Sequence, residues 1–187
     1  MNKKFIGAIT ALVTPFQENG SVDVEALKGL VKFQIDGGIH GIVPCGSTGE
    51  AATLSLEEYE LVVKTVVDEI KGRVPVITGA GSNDTQKAIE FSKTAKKVGV
   101  DALLHVTPYY NKPTPDGLVA HFKAIADAVD LPIIVYNVPG RTGLNLKAET
   151  TLRIVKEIPQ VVGIKEASGD LNQMMEIIKG APESFSV

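Results

Sequence analysis

The chain has 187 residues, of which 44% are hydrophobic and 22% charged, and its formal net charge at pH 7 is −3. This composition is typical of a soluble globular protein of one domain, and the slightly acidic balance gives no electrostatic reason to expect nucleic acid or an anionic membrane as a partner. The single cysteine, Cys45, excludes an internal disulfide framework and favours the cytoplasm.

The N-terminal segment combines Lys3 and Lys4 with a short apolar run, so a signal peptide has to be considered. The run stops at Thr14 and Pro15 and has no convincing cleavage site of small residues. We therefore predict a first β-strand there. No stretch approaches the roughly 18 apolar residues of a membrane span.

Short apolar runs alternate with longer amphipathic stretches along the chain. The predicted strands are residues 7–13, 41–46, 74–79, 101–107, 131–138 and 161–167. Five helical stretches separate these strands and a sixth follows the last one. Strands that are continuously apolar and separated by helices predict a parallel sheet that is covered on both faces.

Local signals support three of the helices. The first is predicted to begin near Asp23 and to end before Gly37 and Gly38, which are typical of a helix stop. The second begins with Ser55 and Glu58 in the Ser-x-x-Glu form of a capping box. The third carries apolar residues with the spacing of one helix face, namely Ala88, Phe91, Ala95 and Val98.

Two α/β architectures fit this alternation, an open doubly wound sheet and a (β/α)8 barrel of the TIM type. The glycine-rich segment 79–84 lacks the third glycine of a dinucleotide-binding fingerprint. Polar groups at the carboxyl end of nearly every strand favour the barrel, because all those ends meet on one catalytic face. They are Thr14, Ser47, Thr48, Ser82, Tyr109, Tyr110, Tyr136 and Lys165.

The number of units is smaller than a closed barrel requires. We count about six complete βα units, and residues 184–187 resemble the start of a seventh strand. We therefore predict a single, incomplete barrel domain over residues 1–187. Either the chain is a fragment of something longer, or oligomerisation covers the open edges, which would otherwise favour aggregation.

Lys165 stands out because it ends the apolar strand of the segment VVGIKEASGD. One interpretation is a solvated lysine paired with Glu166. The other is a partly desolvated amine, whose lowered pKa leaves more of the neutral form that attacks a carbonyl group. A lysine that forms a Schiff base needs that environment.

Tyrosines follow two other strands. Tyr136 ends the strand before that of Lys165, so both side chains can face one pocket and Tyr136 can move protons. Tyr109 and Tyr110 lie in a predicted loop. For each tyrosine, packing in the core with a hydrogen-bonded hydroxyl is the alternative.

Two groups at the same end of the sheet suit carboxylates. The turn Gly46-Ser47-Thr48 offers two hydroxyls and close backbone N–H groups, although it could simply cap the next helix. Arg141, one of three arginines, lies in a glycine-flanked loop and can bind a carboxylate through two parallel hydrogen bonds. A surface arginine is the alternative.

Other reactive side chains are predicted to be structural or simply exposed. His40, His105 and His121 lack the spacing of zinc ligands, and no carboxylate cluster suggests a metal site. Cys45 has no histidine placed to activate it, so we expect a small core residue.

The motifs GSTGEAATLS, VTPYYNKPT, YNVPGRTG and GIKEASGD, in this order, resemble one family closely. They are similar to the dihydrodipicolinate synthases (4-hydroxy-tetrahydrodipicolinate synthases) of the pyruvate-dependent class I aldolase superfamily. The resemblance covers essentially the whole chain. It implies a cytoplasmic lyase that condenses pyruvate with L-aspartate 4-semialdehyde in the diaminopimelate route to lysine, without any cofactor beyond the lysine–pyruvate imine.

The resemblance also implies a role for each site residue. Lys165 would form the imine and Tyr136 would be the general acid and base. Ser47 would complete a proton relay with Tyr110 of a neighbouring subunit in a homotetramer. The substrate carboxylates would be bound by Gly46, Thr48 and Arg141, the arginine taking that of aspartate semialdehyde.

The sequence departs from the family pattern at two residues. Many members have threonine at the position of Ser47; serine keeps the hydroxyl but loses the methyl that restricts its rotamers. Feedback-inhibited members bind lysine through a glutamate at the position of Lys87, so the resemblance implies weak or absent inhibition here.

Two other functions stay open. N-acetylneuraminate lyases share the GSTGE motif, but they lack the arginine that corresponds to Arg141 and differ in the YYNKP segment. The last two barrel units and the family's C-terminal helical domain are also missing from these 187 residues. A non-catalytic barrel fragment, without an assembled site, is therefore the alternative from another class.

Overall fold

The computed structural model describes residues 5–187; Lys3 and Lys4, on which the question of a signal peptide depends, lie outside this range. The strands are β1 (Ile9–Ala11), β2 (Gly41–Val43), β3 (Ile77–Gly79), β4 (Ala102–Val106), β5 (Ile133–Asn137) and β6 (Val161–Glu166). The α-helices are α1 (Val24–Asp36), α2 (Leu56–Ile70), α3 (Thr85–Val98), α4 (Pro115–Ala128), α5 (Pro139–Thr142), α6 (Ala148–Glu157) and α7 (Leu171–Gly180). A 3-10 turn covers Ala51–Thr53.

All strand pairs between these elements are parallel and join neighbours in the sequence. β1 pairs with β2, and β3 to β6 pair in chain order. A parallel bridge between Ile42 and Val76 connects the two groups. A doubly wound sheet would reverse its strand order at a switch point, whereas a barrel keeps the order of the chain. The predicted barrel-type arrangement of about six βα units is confirmed.

The strands are shorter than predicted, because apolar composition continues into the turns that follow them. The second predicted strand, 41–46, ends in the structure at Val43. Pro44 has no N–H to donate to a ladder, and Cys45 has a φ of 52°, in the left-handed region. The hydrophobic pattern alone indicates neither the missing N–H of Pro44 nor the left-handed backbone of Cys45.

The predicted start of a seventh strand is present beside β6. Ser186 forms a parallel bridge with Gly163 and accepts a hydrogen bond from the Ile164 N–H at 2.8 Å. Among residues 5–187, no strand pairs with that side of β6 beyond Ile164. The segment that carries Lys165 is therefore an open edge.

Helix boundaries follow the predicted capping residues. Asp23 accepts a hydrogen bond from the Ala26 N–H at the start of α1. Both reciprocal bonds of the capping box between Ser55 and Glu58 are present at the start of α2. On α3 the predicted apolar face is buried, with Ala88 and Ala95 fully inaccessible. Local chemistry and tertiary packing agree at these positions.

Both faces of the sheet are apolar. The larger core lies between strands and helices, where Leu103, Ile133 and Val135 pack with residues of the helical layer. The smaller core contains no residue of an α-helix: it consists of Phe5, Val43, Ile77, Ala102, Leu104, Ile134, Tyr136 and Val138. This arrangement, helices outside and alternating strand residues inside, is that of a barrel interior. None of the described helices is both long and apolar enough to cross a membrane.

Two histidines are buried, His105 on β4 and His121 on α4, in agreement with the prediction that the histidines are structural or exposed. His105 is fully buried, and its Nε2 lies 3.1 Å from the Ser92 hydroxyl. His121 Nδ1 lies 2.9 Å from the Thr85 hydroxyl. The third histidine, His40, is exposed and accepts a hydrogen bond from a backbone N–H.

We expect acid to destabilise the fold through these two histidines. Burial lowers the pKa of His105 to about 3, with a smaller effect of neighbouring His121, and burial lowers the pKa of His121 to about 4. Below pH of about 6.5 the unfolded chain binds protons that the folded chain does not. The free energy of unfolding should therefore fall by at most about 1.4 kcal/mol per pH unit for each histidine until those values are reached.

Urea titrations at several pH values between about 7 and about 5 measure this slope. The variant His121→Asn should reduce this slope by up to about 1.4 kcal/mol per pH unit, because one fewer proton is bound on unfolding. A wild-type stability that is flat over this range contradicts the prediction.

Candidate active site

A cleft of about 540 Å³ opens at the carboxyl ends of β2 to β5. Its lining includes Gly46, Ser47, Ser82, Tyr109, Tyr136 and Arg141. Each of these residues follows a strand or ends one, because parallel strands deliver their last residues to the same rim. Four of the seven predicted site residues thus share one cleft, namely Gly46, Ser47, Tyr136 and Arg141.

Lys165 and Tyr136 are direct neighbours across β5 and β6. They are opposite each other in the strand register, and the Lys165 ammonium lies 4.5 Å from the centroid of the Tyr136 ring. Tyr136 is buried, whereas Lys165 is exposed on the open edge of β6 and is not among the residues that line the cleft. The contact is of the cation–π type.

The amine of Lys165 has a lowered pKa and forms no ion pair within the described residues. Partial burial lowers its pKa, which increases the fraction of neutral amine at a given pH. In the described part of the chain no ion pair involves Lys165, so the alternative of a pair with Glu166 is not found. The Glu166 carboxylate instead accepts hydrogen bonds from Asn137, Ser168 and Gln173.

The turn that carries Ser47 is held by close backbone contacts. Cys45 adopts a left-handed conformation, and a Cβ atom on Gly79 would lie only 2.0 Å from its carbonyl oxygen. On the other side, the Thr14 hydroxyl donates a 2.7 Å hydrogen bond to the carbonyl of Gly49. Ser47 is exposed at the tip of this turn and lines the cleft.

Thr48 is also exposed, but it does not line the cleft in this chain.

Cys45 is buried, as predicted for a core residue, and burial raises the pKa of its thiol to about 12. A thiol with that pKa is almost wholly protonated at neutral pH and is a poor nucleophile. Within residues 5–187 there is no group of three or more side chains placed to hold a metal ion.

We expect Gly79→Ala to destabilise the protein and displace the Ser47 turn. The added methyl group would meet backbone atoms of Cys45 and Gly46, which cannot move aside as a flexible side chain could. Overpacking of this kind costs about 1–3 kcal/mol, and each kcal/mol lowers the melting temperature of a chain of this size by about 2–4 °C.

Thermal unfolding followed by circular dichroism measures this effect. Gly29→Ala is the matched control, because Gly29 is exposed on α1 and a Cβ there meets no atom within 4 Å. Alanine at a compatible helical site should be neutral or stabilising by about 0.5–1 kcal/mol. Equal melting temperatures for the two variants would contradict the role assigned to the contact.

The two tyrosines of the loop after β4 have opposite environments. Tyr109 is partly buried and lines the cleft. Tyr110 is 89% exposed, has a φ of 70° and does not line the cleft of its own chain. A left-handed backbone at a tyrosine is uncommon.

Arg141 lies in α5, a helical turn, where the sequence predicts a loop. Its N–H donates to the carbonyl of Val138 at 2.9 Å, and Pro139 begins the turn because its missing N–H is not needed there. The side chain is exposed and lines the cleft. Within the described chain it forms no ion pair, so its donors are available to an anion.

Comparison with known proteins decides the family. The model of the dihydrodipicolinate synthetase family matches residues 4–187. The chain belongs to this family.

Known members of the dihydrodipicolinate synthetase family are similar in both sequence and fold. The 4-hydroxy-tetrahydrodipicolinate synthase of Maridesulfovibrio salexigens is 55% identical over 183 residues, which are 98% of this chain and 62% of that protein. The chloride-inhibited dihydrodipicolinate synthase of Acinetobacter baumannii, complexed with pyruvate, is 48% identical with a TM-score of 0.94, over 97% of this chain and 63% of that one. The enzyme of Cyanidioschyzon merolae with lysine bound is 44% identical with a TM-score of 0.94, over 98% and 63%.

The 187 residues thus span less than two thirds of the length of these members of the dihydrodipicolinate synthetase family. The close superposition confirms the predicted fold class, a barrel of the (β/α)8 type represented by about six units.

One feature of the site was not predicted from the sequence. Asn137, Asn145, Glu166 and Gln173 form a partly buried network of hydrogen bonds directly behind Tyr136 and Lys165. The available signal was strand alternation: a residue that directly follows a predicted site residue in a strand points to the opposite face of the sheet. Asn137 and Glu166 follow Tyr136 and Lys165 in this way.

Proposed function

We propose that the protein is a lyase that condenses pyruvate with L-aspartate 4-semialdehyde to give 4-hydroxy-tetrahydrodipicolinate, in the diaminopimelate route to lysine. The observation that carries this proposal is the pair of Lys165 and Tyr136, opposite in register with the ammonium 4.5 Å from the ring centroid. It supplies a nucleophile of lowered pKa beside a phenol able to transfer protons.

The reaction begins with attack of the neutral Lys165 amine on the keto carbon of pyruvate. A C–N bond forms, the keto oxygen takes up protons and leaves as water, and a protonated imine remains. Loss of a methyl proton gives an enamine, whose carbon forms the new C–C bond with the aldehyde carbon of the second substrate. The amino group of that substrate then attacks the imine carbon, closes the ring and releases Lys165.

Tyr136 would be the general acid and base for these transfers, with Ser47 and Tyr110 as the relay to solvent. Because Tyr110 of this chain is exposed and outside its own cleft, we propose that it serves a neighbouring copy in a homotetramer. Gly46 and Thr48 would bind the pyruvate carboxylate. The guanidinium of Arg141 would bind the carboxylate of aspartate semialdehyde and would disfavour an N-acetylneuraminate lyase activity. The imine takes the place of a cofactor, and no metal takes part.

Borohydride trapping tests the proposal. Incubation with pyruvate and sodium borohydride, followed by peptide mass spectrometry, should place one reduced pyruvate adduct on Lys165. A folded sample without an adduct, or with adducts spread over surface lysines, would overturn it.

A non-catalytic barrel module is the second candidate, and the open edge of β6 favours it. No strand covers Lys165 on that side within the described residues, so water reaches an amine that a complete barrel would shield. Under this alternative pyruvate would label the surface lysines at random and Lys165 no faster than the others.

We expect weak or absent feedback inhibition by lysine. Lys87 lines the cleft on α3 and is exposed. A cation at this position repels the ammonium groups of the ligand. Half-inhibition should therefore require more than about 1 mM lysine, which corresponds to a binding free energy weaker than about −4 kcal/mol.

Titration of lysine against the initial rate measures this. Lys87→Glu should increase the sensitivity, whereas Lys93→Glu makes the same charge change at another exposed position of α3 and should not. Wild-type half-inhibition well below the millimolar range would contradict the prediction.

A further inference from the structure

A partly buried carboxylate lies directly behind the reacting pair. Tyr136 and Lys165 are opposite each other in the register, and the next opposite pair is Asn137 and Glu166. Successive side chains of a strand point to opposite faces. Glu166 therefore faces the layer of helices, where Gln173 of α7 contacts it.

Four N–H···O contacts converge on the Glu166 carboxylate. The amide of Asn137 lies 3.1 and 3.0 Å from its two oxygens, the amide of Gln173 donates at 2.9 Å, and the backbone N–H of Ser168 donates at 2.7 Å. Within the described residues no cation pairs with this carboxylate. Its hydrogen-bond partners are therefore neutral donors, held in place by the network around them.

The two donor side chains are themselves fixed. Asn137 is fully buried, its Oδ1 accepts from the Leu146 N–H at 2.9 Å, and its amide also lies 2.8 Å from the Asn145 Oδ1. Gln173 is 7% exposed, and its Oε1 accepts from the Asn145 amide at 3.0 Å. The network thus joins the ends of β5 and β6, the segment before α6 and the first turn of α7.

Only an acceptor fits between the two amides. A glutamine at position 166 would present an NH2 group to the donor of Asn137 or Gln173, and two donors cannot bond to each other. A buried polar group that loses its partner destabilises the arrangement around it. The ends of β5 and β6 would then separate or rotate, and Tyr136 and Lys165 are attached to those ends.

We propose that Glu166 is a positioning residue, which, through Asn137 and Gln173, fixes the carboxyl ends of β5 and β6 so that the Lys165 amine stays beside Tyr136. This inference rests on the proposed imine chemistry of Lys165. A misplacement of about 1 Å costs about 10²-fold in rate. The expected consequence of disturbing the network is slower imine formation rather than loss of substrate binding.

The test is the rate constant for trapping pyruvate on Lys165 with borohydride, normalised to the folded fraction from circular dichroism. Glu166→Gln should slow trapping by about tenfold or more, with little change in the pyruvate concentration that gives half the maximal rate.

Glu176→Gln is the control, since it removes the same charge from an exposed position of α7. If Glu166→Gln does not fold, Gln173→Leu makes the same test, because it removes one donor and leaves the charge in place. Trapping within about twofold of wild type in the folded variant overturns the inference. Absence of an adduct in the wild-type chain instead overturns the proposed function itself.

Discussion

Lys165→Ala is expected to abolish the pyruvate adduct and the condensation of pyruvate with aspartate semialdehyde. The side chain supplies the amine that lies against the Tyr136 ring, and alanine leaves nothing to form the imine. The change should hardly affect folding, because Lys165 is exposed on the edge of β6 and pairs with no carboxylate in the described chain. Borohydride trapping and the initial rate of condensation measure the loss.

Lys156→Ala is the matched control. Lys156 is exposed near the end of α6, away from the cleft. The control should keep both the adduct and the rate. An adduct on another lysine of the Lys165→Ala variant, with turnover retained, would show that the imine forms elsewhere.

Tyr136→Phe is expected to lower the rate of imine formation and of turnover by about 10²–10⁴-fold, the usual effect of losing a general acid or base. The substitution keeps the ring that lies 4.5 Å from the Lys165 ammonium. The amine should therefore stay in place, and the loss should appear in kcat rather than in the affinity for pyruvate.

Tyr59→Phe provides the comparison for this variant. Tyr59 is also buried and its hydroxyl lies 3.4 Å from the Thr78 hydroxyl, but it does not line the cleft. Removing that hydroxyl should cost at most about 1 kcal/mol of stability and leave the rate unchanged. Equal rates for Tyr136→Phe and wild type would exclude the proton-transfer role of Tyr136.

The order of the elements could be predicted from the sequence because it depends on local chemistry. The caps at Asp23 and Ser55 lie where the pattern of residues puts them, and each strand precedes a helix. The barrel was predicted because polar residues such as Ser47 and Lys165 follow or end the strands. In a barrel all the carboxyl ends of the strands meet on one face.

The hydrogen-bond network behind the site could not be predicted in the same way. Its bonds connect residues far apart in the chain, since Asn137 and Glu166 are separated by 29 positions and Asn145 and Gln173 by 28. No local propensity specifies such pairs, and a polar residue at the end of a strand has the same appearance whether it faces the cleft or the helices. The register of β5 against β6 decides between the two.

The close approach of Gly79 to the Cys45 carbonyl has a consequence for how the site can vary. The main-chain path that leads to residue 47 depends on the absence of a side chain at residue 79 and not on which side chain residue 47 carries. Serine and threonine can therefore exchange at residue 47 on the same main-chain turn, while position 79 has to stay a glycine for that turn to fit.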